Sequence, residues 1–308
     1  MIDLNNVVKR YGGVYALNGV SFHAEQGSVL GLLGQNGAGK TTLLNILTGY
    51  LAPTSGQAFI DGFDPLLDPA NAKRRLGYLP EQPPLYDEMT VREYLRFAAA
   101  LRGVSARAVP AHVDEIMEMT GLTSMRDRLL AHLSKGYRQR AGMAQALCGD
   151  PEVLVLDEPT VGLDPKQITE IRGLIRTLGS GRTIVFSSHI LSEVQQLCDH
   201  VVILHDGRVK LDMPMSAMND ENEVTLLCTM AASEKSLLSR LKGLEGVRRV
   251  TVQPTAQPDQ TAALITFYRQ PEPERRLFML LSGLGVPILH LSRSQDSLEQ
   301  IFLRAISE

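Results

Sequence analysis

Residues 34–41 read Gly-Gln-Asn-Gly-Ala-Gly-Lys-Thr, a combination that can hold the phosphates of a nucleotide. Three glycines let the backbone point its N–H groups at phosphate oxygens, and a helix starting here adds the positive end of its dipole. Lys40 can then reach the β- and γ-phosphates, while the Thr41 hydroxyl can ligate Mg²⁺. We therefore predict a nucleotide site. The residues predicted to form it are Gly34, Asn36, Gly37, Ala38, Gly39, Lys40, Thr41 and Thr42.

The segments on either side of this loop fit the same interpretation. Residues 29–33 form a short apolar run typical of a strand, and residues 42–47 have the pattern of a helix. A strand, a glycine-rich turn and a helix in this order are the structural context that a phosphate-binding loop requires.

A second apolar run, residues 153–158, ends in two carboxylates. This is the pattern of a buried parallel strand whose carboxyl end opens on a site. Asp157 is suited to hold Mg²⁺, directly or through water, and Glu158 to accept a proton from an attacking water molecule. Taken alone, such a pair is weak evidence, because acidic residues at strand ends often only begin loops.

Residues 133–140 read Leu-Ser-Lys-Gly-Tyr-Arg-Gln-Arg and precede a helical pattern. With the phosphate loop and the acidic pair, this segment resembles the signature motif of ABC-type ATPases, whose common form is Leu-Ser-Gly-Gly-Gln. Lys135 and Tyr137 depart from that form. The resemblance implies that two such domains face each other, so that Ser134 and Gly136 of one domain close over the ATP of the other. A Ser-capped helix N-terminus suits a γ-phosphate.

The resemblance implies roles for three more residues. Tyr11 matches the aromatic residue that stacks on adenine. Asp164, in the segment 162–165, matches the loop that links the two active sites across the dimer. His189, after the strand-like run 183–188, matches the histidine that senses the γ-phosphate.

One assignment has two candidates. Residues 76–84 resemble the loop in which the family carries a glutamine that touches Mg²⁺ and the attacking water. Counting back from residues 89–91 places Glu81 in the glutamine's register, and Gln82 follows it. Either side chain offers an oxygen to Mg²⁺, but only Glu81 brings a charge, and we favour Glu81.

The resemblance covers about residues 1–218, which we predict to be an α/β P-loop NTPase domain of the ABC ATPase type. The stretch at about 83–150 has helical periodicity over 91–102 and 110–120 and corresponds to the family's inserted helical subdomain. A polar segment, 218–222, is predicted to be a linker.

Residues 219–308 are predicted to form a small accessory α+β domain. The predicted strands are 223–230, 247–253, 261–268 and 286–292, and the predicted helices are 232–242, 273–284 and 296–306. The turn-like connection 254–260 joins the two middle strands, so the order is that of the split β-α-β in ferredoxin-like folds. We expect this domain to pair chains or brace the ATPase against its partner, in preference to sensing a ligand.

Composition limits the function classes. The 308 residues are 44% hydrophobic and carry a net charge of −3, so nothing attracts the whole chain to nucleic acid or an anionic membrane. Three scattered cysteines favour a reducing compartment. The sequence shows no signal peptide and no apolar run long enough to cross a bilayer.

The motifs predict an ATP-hydrolysing subunit, and the resemblance to ABC-type ATPases implies that it dimerises around two ATP–Mg²⁺, as a homodimer or with a paired ATPase subunit. By resemblance to ATPases of ABC-2-type transporters, many of them exporters, its partner is a polytopic permease that holds it at the cytoplasmic face of the membrane. One alternative is a soluble ABC ATPase acting on ribosomes or DNA. The other is a nucleotide-gated binding module with negligible hydrolysis. No nucleic-acid partner is expected.

Overall fold

The computed structural model describes residues 1–218, 223–231, 234–253, 255, 260–268, 271–294 and 298–307. Packing divides the chain into two compact units, of which the first comprises Met1–Met215 and Ala305–Glu308 and the second comprises Ser216–Arg304. Most of the predicted linker 218–222 lies outside the described residues, so the domain boundary at 218 and 219 stays a prediction. In the described part of the chain, no helix combines the length and apolar character needed to cross a membrane.

The first unit contains nine strands and seven α-helices within its described residues. The strands are β1 (Ile2–Tyr11), β2 (Val14–Ala24), β3 (Val29–Leu33), β4 (Ser55–Ile60), β5 (Leu76–Leu79), β6 (Val153–Asp157), β7 (Thr183–Ser188), β8 (His200–His205) and β9 (Arg208–Pro214). The helices are α1 (Lys40–Leu47), α2 (Pro69–Arg75), α3 (Val91–Leu101), α4 (Val109–Met119), α5 (Lys135–Leu147), α6 (Pro165–Gly179) and α7 (Leu191–Leu197).

The central sheet has six strands in the order β5-β6-β7-β3-β8-β9. All neighbours pair in parallel except β8 and β9, which form an antiparallel hairpin. Every residue of β3, β6 and β7 is buried, because helices or the second sheet cover both faces of a parallel sheet. A smaller antiparallel sheet, β2-β1-β4, shares a hydrophobic core with the central sheet through α1.

Parallel pairing brings three functional segments to one edge of the central sheet. Leu33 pairs with Ser188, and Asp157 pairs with Ser187, so the carboxyl ends of β3, β6 and β7 are level with one another. The loop after each strand therefore begins at the same edge. The phosphate loop, the Asp157–Glu158 pair and His189 meet there.

Helices occupy the stretch predicted to be helical between β5 and β6. Thr90 caps α3 through a reciprocal pair of hydrogen bonds with Glu93, and α4 follows after a short loop. The predicted helices at 91–102 and 110–120 are confirmed to within one residue at each end. In the same region, α5 starts at Lys135, directly after its N-cap Ser134.

The second unit has the predicted order of elements. These are β10 (Glu223–Met230), α8 (Glu234–Lys242), β11 (Val247–Gln253), β12 (Thr261–Tyr268), α9 (Pro273–Gly283), β13 (Ile288–Ser294) and α10 (Leu298–Ser307), of which the part up to Arg304 belongs to this unit. The sheet order β11-β12-β10-β13 is antiparallel throughout, which agrees with the predicted split β-α-β. The connection predicted at 254–260 lies mostly outside the described residues.

The last strand of the second unit begins later than predicted. The sequence predicts residues 286–292, whereas β13 runs from Ile288 to Ser294. The Val286 N–H bonds the carbonyl of Leu281 and so closes the C-terminus of α9. Because that donor serves the helix end, ladder pairing starts only after Pro287, whose carbonyl accepts from Ala231.

Candidate functional site

The phosphate loop connects β3 to α1 through a turn that depends on glycine. Gly39 has φ +106°, and a Cβ there would lie 2.6 Å from the carbonyl oxygen of Ala16. Gly37 also has a positive φ, but it faces open space. Packing therefore requires glycine at position 39. Gly37 leaves room for a ligand to approach the backbone. Among the residues that the structure describes, no side chain caps the N-terminus of α1, so its N–H groups can receive an anion.

Lys40 is the first residue of α1, directly after the loop, and only 6% of its surface is exposed. Its Nζ donates to the carbonyl of Gly34 at 2.7 Å and lies 3.2 Å from Oε1 of Glu158. A buried ammonium needs such partners. The ion pair also brings the predicted phosphate-binding cation and the predicted proton acceptor into direct contact.

Glu158 is held on three sides. Its backbone N–H donates to Ser187 Oγ at 2.9 Å, and its Oε2 lies 2.7 Å from Nδ1 of His189. Its φ of +47° is in the left-handed region, which a side chain other than glycine adopts only when its surroundings fix it. The contacts to Lys40, Ser187 and His189 supply that fixation.

Asp157 lies beneath the site and is almost fully buried. Ser187 donates to its Oδ1 at 2.6 Å. Burial raises the pKa of Asp157, and the charges of Glu158 and Glu81 raise it further, while hydrogen bonds from Ser187 and Thr41 lower it. Burial of Tyr78 raises its pKa to about 12, and the nearby charge of Asp157 is a second, smaller cause. A cation placed here would relieve this concentration of negative charge.

Lys40, Glu158 and His189 border a cavity of about 470 Å³. It is lined by Ala16, Gln35, Asn36, Gly37, Gly39, Lys40, Thr41, Thr42, Glu81, Glu158, Val161 and His189. Of the two candidates in the loop after β5, Glu81 lines the cavity, and Gln82 is not among the described lining residues. This placement favours Glu81. Gly34 and Ala38 support the loop from buried positions outside the lining.

Eight predicted site residues do not line the cavity. Besides Gly34, Ala38, Gln82 and the underlying Asp157, these are Tyr11, Ser134, Gly136 and Asp164. Tyr11 is half-exposed at the end of β1, with Lys9 Nζ 5.3 Å from its ring centre. Ser134 accepts from the N–H of Tyr137 as the N-cap of α5, and Asp164 accepts from Gln167 as the N-cap of α6. Gly136 is buried beside α6, where a Cβ would lie 2.7 Å from the Gln167 side chain.

The donor set of the cavity fits a nucleoside triphosphate with Mg²⁺. Backbone N–H groups, a lysine and a helix N-terminus suit phosphates. Mg²⁺ in nucleotide sites takes one or two protein oxygens together with phosphate oxygens, and Thr41, Asp157 and Glu81 offer oxygens here. The cavity can therefore bind phosphates, hold a cation and accept a proton at Glu158.

Sequence reasoning overlooks several residues that support the site. Ser187 joins Asp157 to Glu158, and Glu193 bonds the hydroxyls of Thr160 and Ser188. The available signals are two serines at the end of a mostly apolar strand and an acidic residue in the first turn of a short helix. Neither signal identifies a partner without the fold.

Comparison with known proteins places the chain in one family. The model of the family described as ABC transporter matches residues 17–161. The bacitracin transport ATP-binding protein BcrA of Bacillus licheniformis is 34% identical over 99% of this chain and 97% of its own length. The Nod factor export ATP-binding protein I of Burkholderia orbicola is 40% identical over 67% of this chain and 68% of its own.

Solved structures agree with this placement. The dimeric ATP-binding cassette MJ0796, in a post-hydrolysis state bound to ADP and Pi, superposes with a TM-score of 0.64 at 27% identity. The match covers 70% of this chain and 99% of that chain. The predicted ABC ATPase fold is therefore confirmed for the first unit.

Proposed function

This chain belongs to the ABC transporter ATP-binding protein family, whose members hydrolyse ATP, and we propose that it is the ATPase subunit of an ABC-2-type exporter. In this proposal two ATP–Mg²⁺ join two ATPase domains, as a homodimer or with a paired ATPase subunit, and hydrolysis drives a separate polytopic permease. The subunit would be held at the cytoplasmic face of the membrane by that permease. The relative named for Nod factor export supports the direction, and the relative named for bacitracin transport supports a role in transport.

The contact of Glu158 with both Lys40 and His189 carries the hydrolytic part of the proposal. Lys40 Nζ lies 3.2 Å from Oε1, and His189 Nδ1 lies 2.7 Å from Oε2. When phosphates engage Lys40, Oε1 becomes free to accept the proton of the attacking water. His189 holds Oε2 and so orients the carboxylate. Bound Mg²⁺ would neutralise part of the charge on the β- and γ-phosphates.

The predicted site residues outside the cavity support dimerisation. Ser134 and Asp164 sit at the N-termini of α5 and α6, and neither lines the cavity of its own chain. Their helix N-termini are suited to a phosphate or backbone presented by another chain. Charge-assisted hydrogen bonds are worth roughly 1.5 to 3 kcal/mol each, so a few such donors can close a dimer on ATP. Loss of the γ-phosphate would then reopen it.

An apolar groove in the first unit supports a protein partner. The groove encloses about 720 Å³, and its lining includes Leu76, Tyr78, Pro80, Leu101 and Tyr50. Leu101 is 72% exposed and Tyr50 is 84% exposed. Large apolar side chains this exposed beside a groove are typical of an interaction surface. We assign the permease to this groove.

The proposal is tested by capturing partners of tagged Glu158→Gln chain from native membranes in mild detergent with ATP, followed by mass spectrometry. A polytopic membrane protein in near-equal amount would support the transporter function. Recovery of the chain alone, or with ribosomal proteins or DNA, would contradict it. Leu101→Asp in the same background should abolish capture, whereas Ala100→Asp, at an exposed position of α3 outside the groove lining, should not.

A further inference from the structure

Glu193 is a charged residue that the proposed chemistry does not use. It lies in the first turn of α7, and its exposed surface is 0%. It does not line the cavity of the site. Burying a carboxylate is costly unless it is paired and hydrogen-bonded, so its contacts indicate what it supports.

Two buried hydroxyls donate to the same oxygen of Glu193. Thr160 Oγ1 and Ser188 Oγ each lie 2.9 Å from Oε2. Thr160 is 3% exposed and Ser188 is 1% exposed, so both bonds are shielded from water. Hydrogen bonds to a charged acceptor in such surroundings are stronger than neutral ones.

The two hydroxyls belong to the segments that carry the reacting side chains. Thr160 follows Glu158 by two residues, and Ser188 directly precedes His189. The side chains of Glu158 and His189 contact each other at 2.7 Å. Through Thr160 and Ser188, the carboxylate of Glu193 makes a second connection between the loop after β6 and the end of β7.

A third element contacts Glu193 through charge. Arg172 Nη2, on α6, lies 3.5 Å from Oε1, and Arg172 Nη1 donates to Gln196 at 2.9 Å. In the described part of the chain, Oε1 itself accepts no hydrogen bond. Helix α6, whose N-cap is Asp164, therefore interacts electrostatically with the same carboxylate.

We propose that Glu193 is a positioning residue that keeps the Glu158 carboxylate and the His189 imidazole in hydrogen-bond contact. Its loss therefore slows hydrolysis while nucleotide affinity is retained. This inference rests on the proposed ATPase function. A residue that only stabilised the fold would lower the melting temperature and leave the contact between Glu158 and His189 intact.

The test compares single-turnover ATP hydrolysis, nucleotide affinity and the ¹⁵N spectrum of the His189 ring in the full chain. Glu193→Gln keeps the size of the side chain, and Thr160→Val removes one donor at nearly constant volume. Both should slow hydrolysis about 10- to 100-fold, as a slight misplacement of reacting groups does, with affinity changed less than threefold. The His189 resonances should shift in both variants. Thr160→Ser restores the hydroxyl and should recover turnover to within about threefold of wild type.

The controls separate this inference from the proposed function. If wild type hydrolyses ATP and Glu158→Gln does not, while Glu193→Gln and Thr160→Val turn over within twofold of wild type, the positioning role is overturned and the ATPase function stands. If Glu193→Gln does not fold, Thr160→Val alone decides by the same criteria. Absence of hydrolysis by wild type would overturn the function itself and this inference with it.

Discussion

Replacing Ser187 by alanine removes two buried hydrogen bonds at once. Ser187 Oγ donates to Asp157 at 2.6 Å and accepts from the N–H of Glu158 at 2.9 Å. The first bond involves a charged acceptor, worth roughly 1.5 to 3 kcal/mol, and the second leaves a buried donor unpaired at a cost of about 1 to 3 kcal/mol. Because such terms are not additive, we expect the free energy of unfolding to fall by about 2 to 4 kcal/mol. The melting temperature should then fall by about 4 to 16 °C.

The stability lost in Ser187→Ala should grow with pH. Burial, Glu158 and Glu81 hold the pKa of Asp157 above its ordinary value, and Ser187 opposes them. A raised carboxyl pKa means that the native state keeps a proton that the unfolded state releases. The stability from that proton is present at low pH and is lost as pH rises through the native pKa. Without Ser187 the native pKa of Asp157 rises further, so the loss of stability extends to higher pH.

The assay is thermal melting of the full chain from pH 5 to pH 8, with unfolding monitored by circular dichroism. The control is Ser180→Ala, which removes an exposed hydroxyl that donates to the carbonyl of Thr177. It should change the melting temperature by less than about 2 °C. A Ser187→Ala variant that melts like wild type at every pH would refute the role of this hydroxyl.

Three further substitutions have expected outcomes. Lys40→Ala should weaken ATP binding about 10- to 150-fold, the equivalent of one charge-assisted hydrogen bond. Its control is Lys210→Ala, at an exposed position. Equal ATP affinity in the two variants would exclude Lys40 from phosphate binding. Gly77→Ala should lower the melting temperature, because its Cβ would lie 2.1 Å from the carbonyl oxygen of Ala146. Gly173→Ala should raise it by about 1 to 4 °C, because this position within α6 has open space and helical propensity favours alanine. Equal changes in melting temperature for Gly77→Ala and Gly173→Ala would contradict the crowding at Gly77 and the open space at Gly173.

The central strands are predictable from sequence because burial on both faces leaves a continuous apolar run. β3, β6 and β7 carry this pattern, and each ends where a polar or glycine-rich segment begins. Local patterns therefore predict both the strands and the residues at their carboxyl ends. The fold then adds only the level pairing that brings these ends together.

Other features depend on long-range contacts and cannot be predicted locally. The bond from Thr160 to Glu193 joins residues 33 positions apart, and the start of β13 depends on which acceptor the N–H of Val286 finds. The choice between Glu81 and Gln82 is of the same kind, since adjacent residues in a loop have similar local patterns. Only the course of the backbone places Glu81 at the cavity.

The central claim is that Glu158, held between Lys40 and His189, hydrolyses bound ATP. The most direct measurement is phosphate release from the purified chain with Mg²⁺ and ATP, compared between wild type and Glu158→Gln at equal nucleotide occupancy. We predict that wild type releases phosphate and that Glu158→Gln binds ATP with similar affinity but turns over about 10² to 10⁴ times more slowly. Similar rates in the two proteins would remove Glu158 from the reaction and contradict the account.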